Sequence, residues 1–192
     1  MVTNVTNGVE MAAVKRISKE KIIDAAVDVI RRGGQSALNA RNLAKRLGCS
    51  TRPIYLAFKG MDGVKKAAAV KITRVFEEFI AREVVSGRYP VYKSYGMAYI
   101  RFALEERELF KSAFMTEQTQ KTDSGYGGVI DAVMKTTGLD RERAELFHLE
   151  NWIFVHGLAS MVATGFTAFD EETFQKVLTD AFEGLKARFK IK

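Results

Sequence analysis

Cysteine is nearly absent from this chain. Its 192 residues hold one, Cys49, so no disulfide can form within it, and a reducing, cytoplasmic setting is expected. Proline is as scarce: Pro53 and Pro90 are the full complement, which leaves long stretches free to run as helix. No run of about 18 apolar residues occurs, which argues against a membrane span. Met1 to Glu10 is uncharged until its last residue and lacks the basic start and apolar core of a signal peptide. Strict apolar/polar alternation is missing too, so the expected fold class is all-α.

What is present is a globular composition, 47% hydrophobic and 28% charged, enough to bury a core. Charge is unevenly placed. Residues 1–60 carry 11 Lys and Arg against four Asp and Glu, whereas residues 61–192 carry 19 of each, so the whole net charge of +7 lies in the first third. That asymmetry reads as a polyanion-binding module joined to a neutral body, with DNA, RNA and an anionic membrane all candidate partners.

Helical periodicity divides the chain into a tail over 1–14, with Met11 a second candidate start, and about nine helices. These are expected over 19–32, 40–47, 51–58, 62–85, 91–103, 106–115, 126–136, 141–163 and from 171 onward, with a polar, mobile loop over 116–125. Ser18, Asn39, Asp140 and Asp170 are the start signals, each able to accept a bond from an orphan backbone N–H. Gly33-Gly34, Gly48 and Gly138 are the stops. Apolar stripes run through Val64, Ala68, Ile72, Val75 and Phe79, through Val91, Tyr95, Ala98, Tyr99 and Phe102, and through Phe174, Val177, Leu178, Ala181, Phe182, Leu185 and Phe189. Phe169 and Phe174 have the spacing of a hydrophobic staple.

The strongest local signal spans 39–58. Two helices joined by a tight turn pack at a steep angle. Ala44 is small at the close approach, Gly48 permits the turn, and Ile54 anchors the second helix, with Leu43, Leu47 and Phe58 completing a small core.

At this point a family resemblance becomes specific. Ile22-Ile23-Asp24-Ala25-Ala26, Gly33-Gly34, Ala37-Leu38-Asn39-Ala40-Arg41-Asn42-Leu43-Ala44, Leu47-Gly48-Cys49-Ser50 and Ile54-Tyr55-Leu56-Ala57-Phe58 together resemble the DNA-binding domain of the TetR family (tetracycline-repressor-like regulators) over about 18–70. Tyr99-Ile100-Arg101-Phe102-Ala103 with Leu109-Phe110 resembles the fifth and sixth helices of many members. Trp152 with His156-Gly157 resembles the Trp-His-Gly type of C-terminal domain. The chain departs from the family at Ala57, where many members have histidine, at Arg107, where proline is common, and at Met61, where many have a phosphate-approaching lysine. Lys59 and Lys65 are the nearest substitutes.

The resemblance implies a helix-turn-helix domain over 15–62 and a dimerisation and effector-binding domain over 63–192. It implies a homodimer on a palindromic operator, with repression relieved by a small-molecule effector. Thr51, Arg52, Tyr55, Leu56 and Lys59 would then face the major groove, with Arg52 suited to a bidentate bond on guanine and Tyr55 to a phosphate. Asn39, Ala40 and Arg41 would meet a phosphate at a helix start, and Lys15 and Arg16 would form a minor-groove arm. An effector pocket is expected among Tyr99, Arg101, Phe102, Phe114, Tyr126, Met134, His148, Asn151 and Trp152, since ligand sites are apolar with a few fixed polar groups. A dimer interface is expected at His156, Gly157 and Ser160 with Phe174, Leu178, Ala181, Phe182 and Leu185, as an isologous four-helix contact.

The rival readings have less behind them. Glu145 and His148 have the i, i+3 spacing of half a di-iron site, but that chemistry needs two such pairs, so neither a metal nor a cofactor is expected. A helical enzyme lacks a nucleophile–base pairing or a phosphate loop. A basic adaptor for RNA or membranes lacks an RNA-binding signature.

Overall fold

The computed structural model describes residues 17–116 and 126–191. The expected tail, and residues 117–125 of the loop expected over 116–125, lie outside the described residues, as do Lys15 and Arg16.

Four of the helices open on a side-chain cap. Ser18 Oγ accepts the Lys21 N–H at 3.2 Å to open α1 (Lys19–Gly33). A 3-10 turn over Gln35–Ala37 follows, too short for periodicity to reveal. Asn39 Oδ1 accepts the Asn42 N–H at 2.9 Å to open α2 (Ala40–Leu47). Gly48, at φ 66°, closes it in the left-handed conformation that costs glycine least. Then come α3 (Arg52–Ala57), α4 (Met61–Ser86), α5 (Val91–Glu105) and α6 (Arg107–Phe114). After the undescribed stretch lie α7 (Tyr126–Thr137), α8 (Arg141–Ala163) and α9 (Glu171–Phe189). Asp140 and Asp170 cap the last two, accepting the N–H of Arg143 at 2.9 Å and of Thr173 at 2.8 Å. The described residues are thus all-α, as expected, and none of their helices is long and apolar enough to cross a membrane.

Helices α1 to α3 form a head. Ile22, Ala26 and Ile30 of α1 face Leu43 and Ala44 of α2 and Ile54 of α3, all buried in one core. The head rests on α4 and α6 through α1. Three polar contacts fasten it: Arg31 Nε lies 2.7 Å from Glu106 Oε2, Lys71 Nζ of α4 lies 3.1 Å from Asp24 Oδ1, and Ser112 Oγ donates to Gln35 Oε1 at 2.8 Å.

In the body α5 is central, packing against α4, α6, α7, α8 and α9. Its Tyr99 and Phe102 meet Phe76 and Phe79 of α4 and Phe110 and Phe114 of α6 at ring separations of 4.8–6.3 Å. These are edge-on or tilted contacts, the arrangement aromatic quadrupoles favour. A second, smaller core gathers Tyr92, Val133, Phe147 and Phe189 from α5, α7, α8 and α9.

Two expectations about apolar faces change. Val91 opens α5 and is 49% exposed rather than part of its buried stripe. The stripe of α9 is largely spent inside the chain: Phe174 and Leu178 are buried in the main core, while Phe182 and Leu185 pack on the smaller one. Phe174 and Leu178 are therefore core residues, not interface residues. Periodicity reports that a face is buried, not what buries it. The staple forms, with the Phe169 and Phe174 rings 5.9 Å apart.

Phe102 is fully buried where the α4, α5 and α6 aromatics meet. Phe102→Ala is expected to lower unfolding stability by about 3–5 kcal/mol, read from the midpoint of urea denaturation.

Candidate functional site

The charge of the head is sorted by helix. Its described acids, Glu20, Asp24 and Asp28, all lie on α1. Asp28 is bonded by Arg46 and lies 3.0 Å from Arg32 Nε, and the Arg46 bond holds its carboxyl below the usual carboxylate range. Asp24 lies 3.1 Å from Lys71. By contrast Arg41 and Lys45 of α2, Arg52 of α3 and Lys59 are exposed, and among the described residues they have no acidic partner. Lys19 and Lys21, in the first turn of α1, carry no ion pair among the described residues either, so the paired cations of the head are Arg31, Arg32 and Arg46, and its unpaired ones reach from the start of α1 over α2 and α3. Lys45 was not singled out from sequence, because exposure on α2 shows only once its packed face is known.

On α3 the buried Ile54 fixes which way the helix turns, and Thr51, Arg52, Tyr55, Leu56 and Lys59 share the opposite, exposed face. Tyr55 is 49% and Leu56 76% exposed. Lys59 ends this run at φ 40°, a left-handed conformation strained for a lysine, and Gly60 follows at φ 140°. Near the start of α2, Arg41 is exposed and Ala40 half-buried, while the Asn39 side chain is taken up as the cap.

The residues expected to line an effector pocket fall into two groups along the α5–α8 seam. In the first, the Tyr99 hydroxyl pairs with His156 Nδ1 at 2.8 Å, and Trp152 stacks on the His156 ring at 5.0 Å. Phe102 and Phe114 pack beside Tyr99. In the second, Asn151 Nδ2 donates to the Tyr92 hydroxyl at 3.0 Å, and that hydroxyl lies 3.1 Å from His148 Nδ1, where its own proton fits. Asn151 Oδ1 is buried with no partner. Met134 packs partly buried against the same core. Tyr126 opens α7, and its side chain lies outside the described residues. Tyr92 was missed from sequence, although Tyr92, Tyr95 and Tyr99 mark one face of α5 at helical spacing.

Arg101 departs from the pocket expectation. It points away from the seam, with Nε 3.1 Å from buried Glu83 of α4 and Nη2 2.8 Å from Glu171 of α9. It does line two small cavities, of about 110 Å³ and about 90 Å³, on the α4 and α9 sides of α5. Burying Glu83 requires such a partner, and Glu83 was legible as an acid in register with the apolar stripe of α4, four residues beyond Phe79. Nor do Glu145 and His148 converge: Glu145 is exposed, 3.8 Å from Arg141, while His148 turns inward.

The interface expectation is also redistributed. His156 faces the aromatic cluster rather than outward, 6.2 Å from the Phe110 ring, and Ser160 Oγ lies 3.4 Å from its Nε2. Gly157 is exposed and Ala181 half-buried. Exposed apolar side chains instead follow α8 through Leu146, Leu149, Ile153 and Met161 at helical spacing.

Burial drives the His148 imidazole down to about 4. The unfolded chain takes up a proton near pH 6.5 that the folded chain refuses until about pH 4. Stability is therefore undiminished by this group above pH 6.5 and falls as pH drops through that window, by roughly 3 kcal/mol. His148→Gln is expected to flatten this limb of the stability–pH curve in urea unfolding; an unchanged slope would show that the imidazole does not control it.

Comparison with known proteins covers both halves. Residues 22–68 match the model for bacterial regulatory proteins of the tetR family, and residues 93–182 match that for the tetracyclin repressor-like C-terminal domain. The chain is 26% identical over 183 residues to an HTH-type transcriptional regulator of Mycobacterium tuberculosis, covering 86% of this chain and 78% of that one. Its fold is similar to a TetR variant from Acinetobacter baumannii AYE in complex with minocycline, with TM-score 0.60 and 17% identity over 91% of this chain and 97% of that one. It is similar also to a TetR-family transcriptional regulator from Vibrio parahaemolyticus, with TM-score 0.62 and 14% identity over 86% of this chain and 96% of that one. A head whose α2 and α3 expose cations without acidic partners, on a helical body matched over most of its length, identifies this chain as a member of the TetR family of DNA-binding transcriptional regulators.

Proposed function

We propose that the protein is a homodimeric repressor whose two α3 helices read successive half-sites of a palindromic operator, and which a small-molecule effector releases. The observation that carries this reading is the exposed face of α3, where Arg52 and Lys59 lack acidic partners among the described residues while Arg31, Arg32 and Arg46 are each paired with an acid. Neutralising phosphates with unpaired cations releases counterions, the main source of affinity for duplex DNA. Arg52 supplies the guanine contact, and Tyr55 with Lys59 and Arg41 the phosphate contacts that set register.

The second copy is held by the outward face of α8. Leu146, Leu149 and Ile153 stand exposed there at i, i+3 and i+7, and a two-fold axis lets one such stripe cover its copy. Gly157 allows close approach, and Ala181, Phe182 and Leu185 of α9 border the contact. The effector enters the α5–α8 seam, whose lining of tyrosine hydroxyls, imidazoles, an amide and an indole suits an uncharged molecule with hydrogen-bonding groups. Parting α5 from α8 shifts α4, and α4 carries the head. The minocycline bound to the Acinetobacter protein of like fold accords with a small-molecule effector here.

Selection of duplexes from a random pool, followed by salt titration, tests the reading. An inverted repeat with half-sites about 34–36 Å apart, or a multiple of that spacing, and a steep loss of affinity with salt are expected; indifference to sequence in dilute buffer would overturn it. Arg52→Ala is expected to weaken binding by roughly 1–3 kcal/mol per half-site, measured by fluorescence anisotropy on the selected duplex. Ile153→Glu would set two carboxylates against each other across the two-fold axis. It is expected to yield monomers in sedimentation velocity, with circular dichroism unchanged and operator affinity lost.

A further inference from the structure

An apolar side chain sits in the cationic reading face. Leu56 is 76% exposed, flanked by Arg52 one helical turn earlier and Lys59 three residues later, and nothing in the packing of α3 needs it outward: Ile54, with Ala57 and Phe58 behind it, already anchors α3 to the head. A single exposed leucine elsewhere on a protein surface is ordinary. Here it stands on a surface otherwise made of groups that bond phosphates and base edges, and a branched alkyl group can bond neither.

We infer that Leu56 selects thymine in each half-site by packing on its C5 methyl group. This role for Leu56 rests on the operator reading above. The C5 methyl is the one apolar group that a base pair of unmodified DNA presents in the major groove, and it is the chemistry that would cover this side chain. Register follows from helix geometry. Arg52 and Leu56 are four residues apart, a rise of roughly 6 Å along α3, against about 3.4 Å per base pair. The selected thymine therefore lies within two base pairs of the guanine that Arg52 reads. Tyr55 ends in a hydroxyl, whereas Thr51, whose own methyl can also meet a thymine, lies five residues before Leu56 and is told apart by the Leu56→Ala arm of the test. The same methyl exists on 5-methylcytosine, so the recognition is of the methyl rather than of thymine as such, and methylation of a cytosine at that position would mimic the preferred base.

The test uses the full-length protein and the duplex obtained by selection. Each thymine of the half-site is replaced in turn by deoxyuridine, which removes one methyl and nothing else. Burial of one methyl group corresponds to about fourfold in affinity. Wild-type protein is expected to lose about fourfold at one thymine within two base pairs of the Arg52-dependent guanine, and roughly fifteenfold when both half-sites are changed. Leu56→Ala, an exposed position whose variant is checked by its thermal melt, is expected to bind more weakly and to be indifferent to the methyl at that thymine only. Placing cytosine and then 5-methylcytosine at the same position separates the two sources of the methyl: tighter binding to the methylated duplex, absent in Leu56→Ala, supports recognition of the group itself. Wild type indifferent to every deoxyuridine, or Leu56→Ala retaining the loss, overturns the inference while leaving operator binding intact. Failure to enrich any duplex overturns the operator reading and this inference with it.

Discussion

Along α4, Val64, Ala68, Ile72 and Phe79 are buried on a single face, and that helix packs on both α1 and α5. One helix of 26 residues, roughly 39 Å long, is thereby committed at once to the core of the head and to the core of the body. No solvated gap divides the two, since the buried cluster runs continuously from Ile22 to Leu178. A close-packed interior transmits displacement instead of absorbing it. Any rearrangement of the body that moves α4 must therefore either carry α1 with it or open apolar surface to water.

Polar groups placed in that interior add direction to the packing. Glu83 is buried on α4, and the guanidinium of Arg101 joins it to Glu171, whose carboxylate also accepts from the Tyr89 hydroxyl at 2.8 Å. That bond from Tyr89 helps hold the Glu171 carboxyl below its ordinary range. A buried charge without its partner is far costlier than the pair, so α4, α5 and the start of α9 are held in one relative setting. The α5–α8 seam differs in kind. Its hydroxyl–imidazole pairs are uncharged, because burial keeps both histidines toward their neutral form, and such bonds can be exchanged for others at modest cost. The rigid side and the exchangeable side of the body lie on opposite flanks of α5.

Most of the fold was legible in the sequence, for identifiable reasons. Helix starts at Ser18, Asn39, Asp140 and Asp170 depend on bonds reaching three residues along the chain, and such local chemistry is written where it acts. The head was legible because Ala44, Gly48 and Ile54 each answer a steric demand of one tight turn. What sequence could not settle was pairing over long separations. Arg101 was assigned to a pocket because its partners Glu83 and Glu171 lie 18 residues before it and 70 after it. Phe174 and His156 were assigned to an interface because an apolar or polar residue on a helix does not say whether its neighbour belongs to the same chain. The cationic side of α2 and α3 was half legible: charge asymmetry located it, but only the pairing of Arg46 and Arg32 with Asp28 showed which cations remain uncommitted.

The left-handed backbone at Lys59 has a consequence for how such a chain can change. Glycine or asparagine would rest there more comfortably, by about 1 kcal/mol, yet the position holds a long cation at the rim of the head. If Lys59 meets a phosphate as proposed, robustness to heat and attraction to a polyanion compete for one residue. Under selection for hardiness alone this corner of the chain would relax toward a smaller side chain, and the regulator would become tougher and less attached to its genome in the same step.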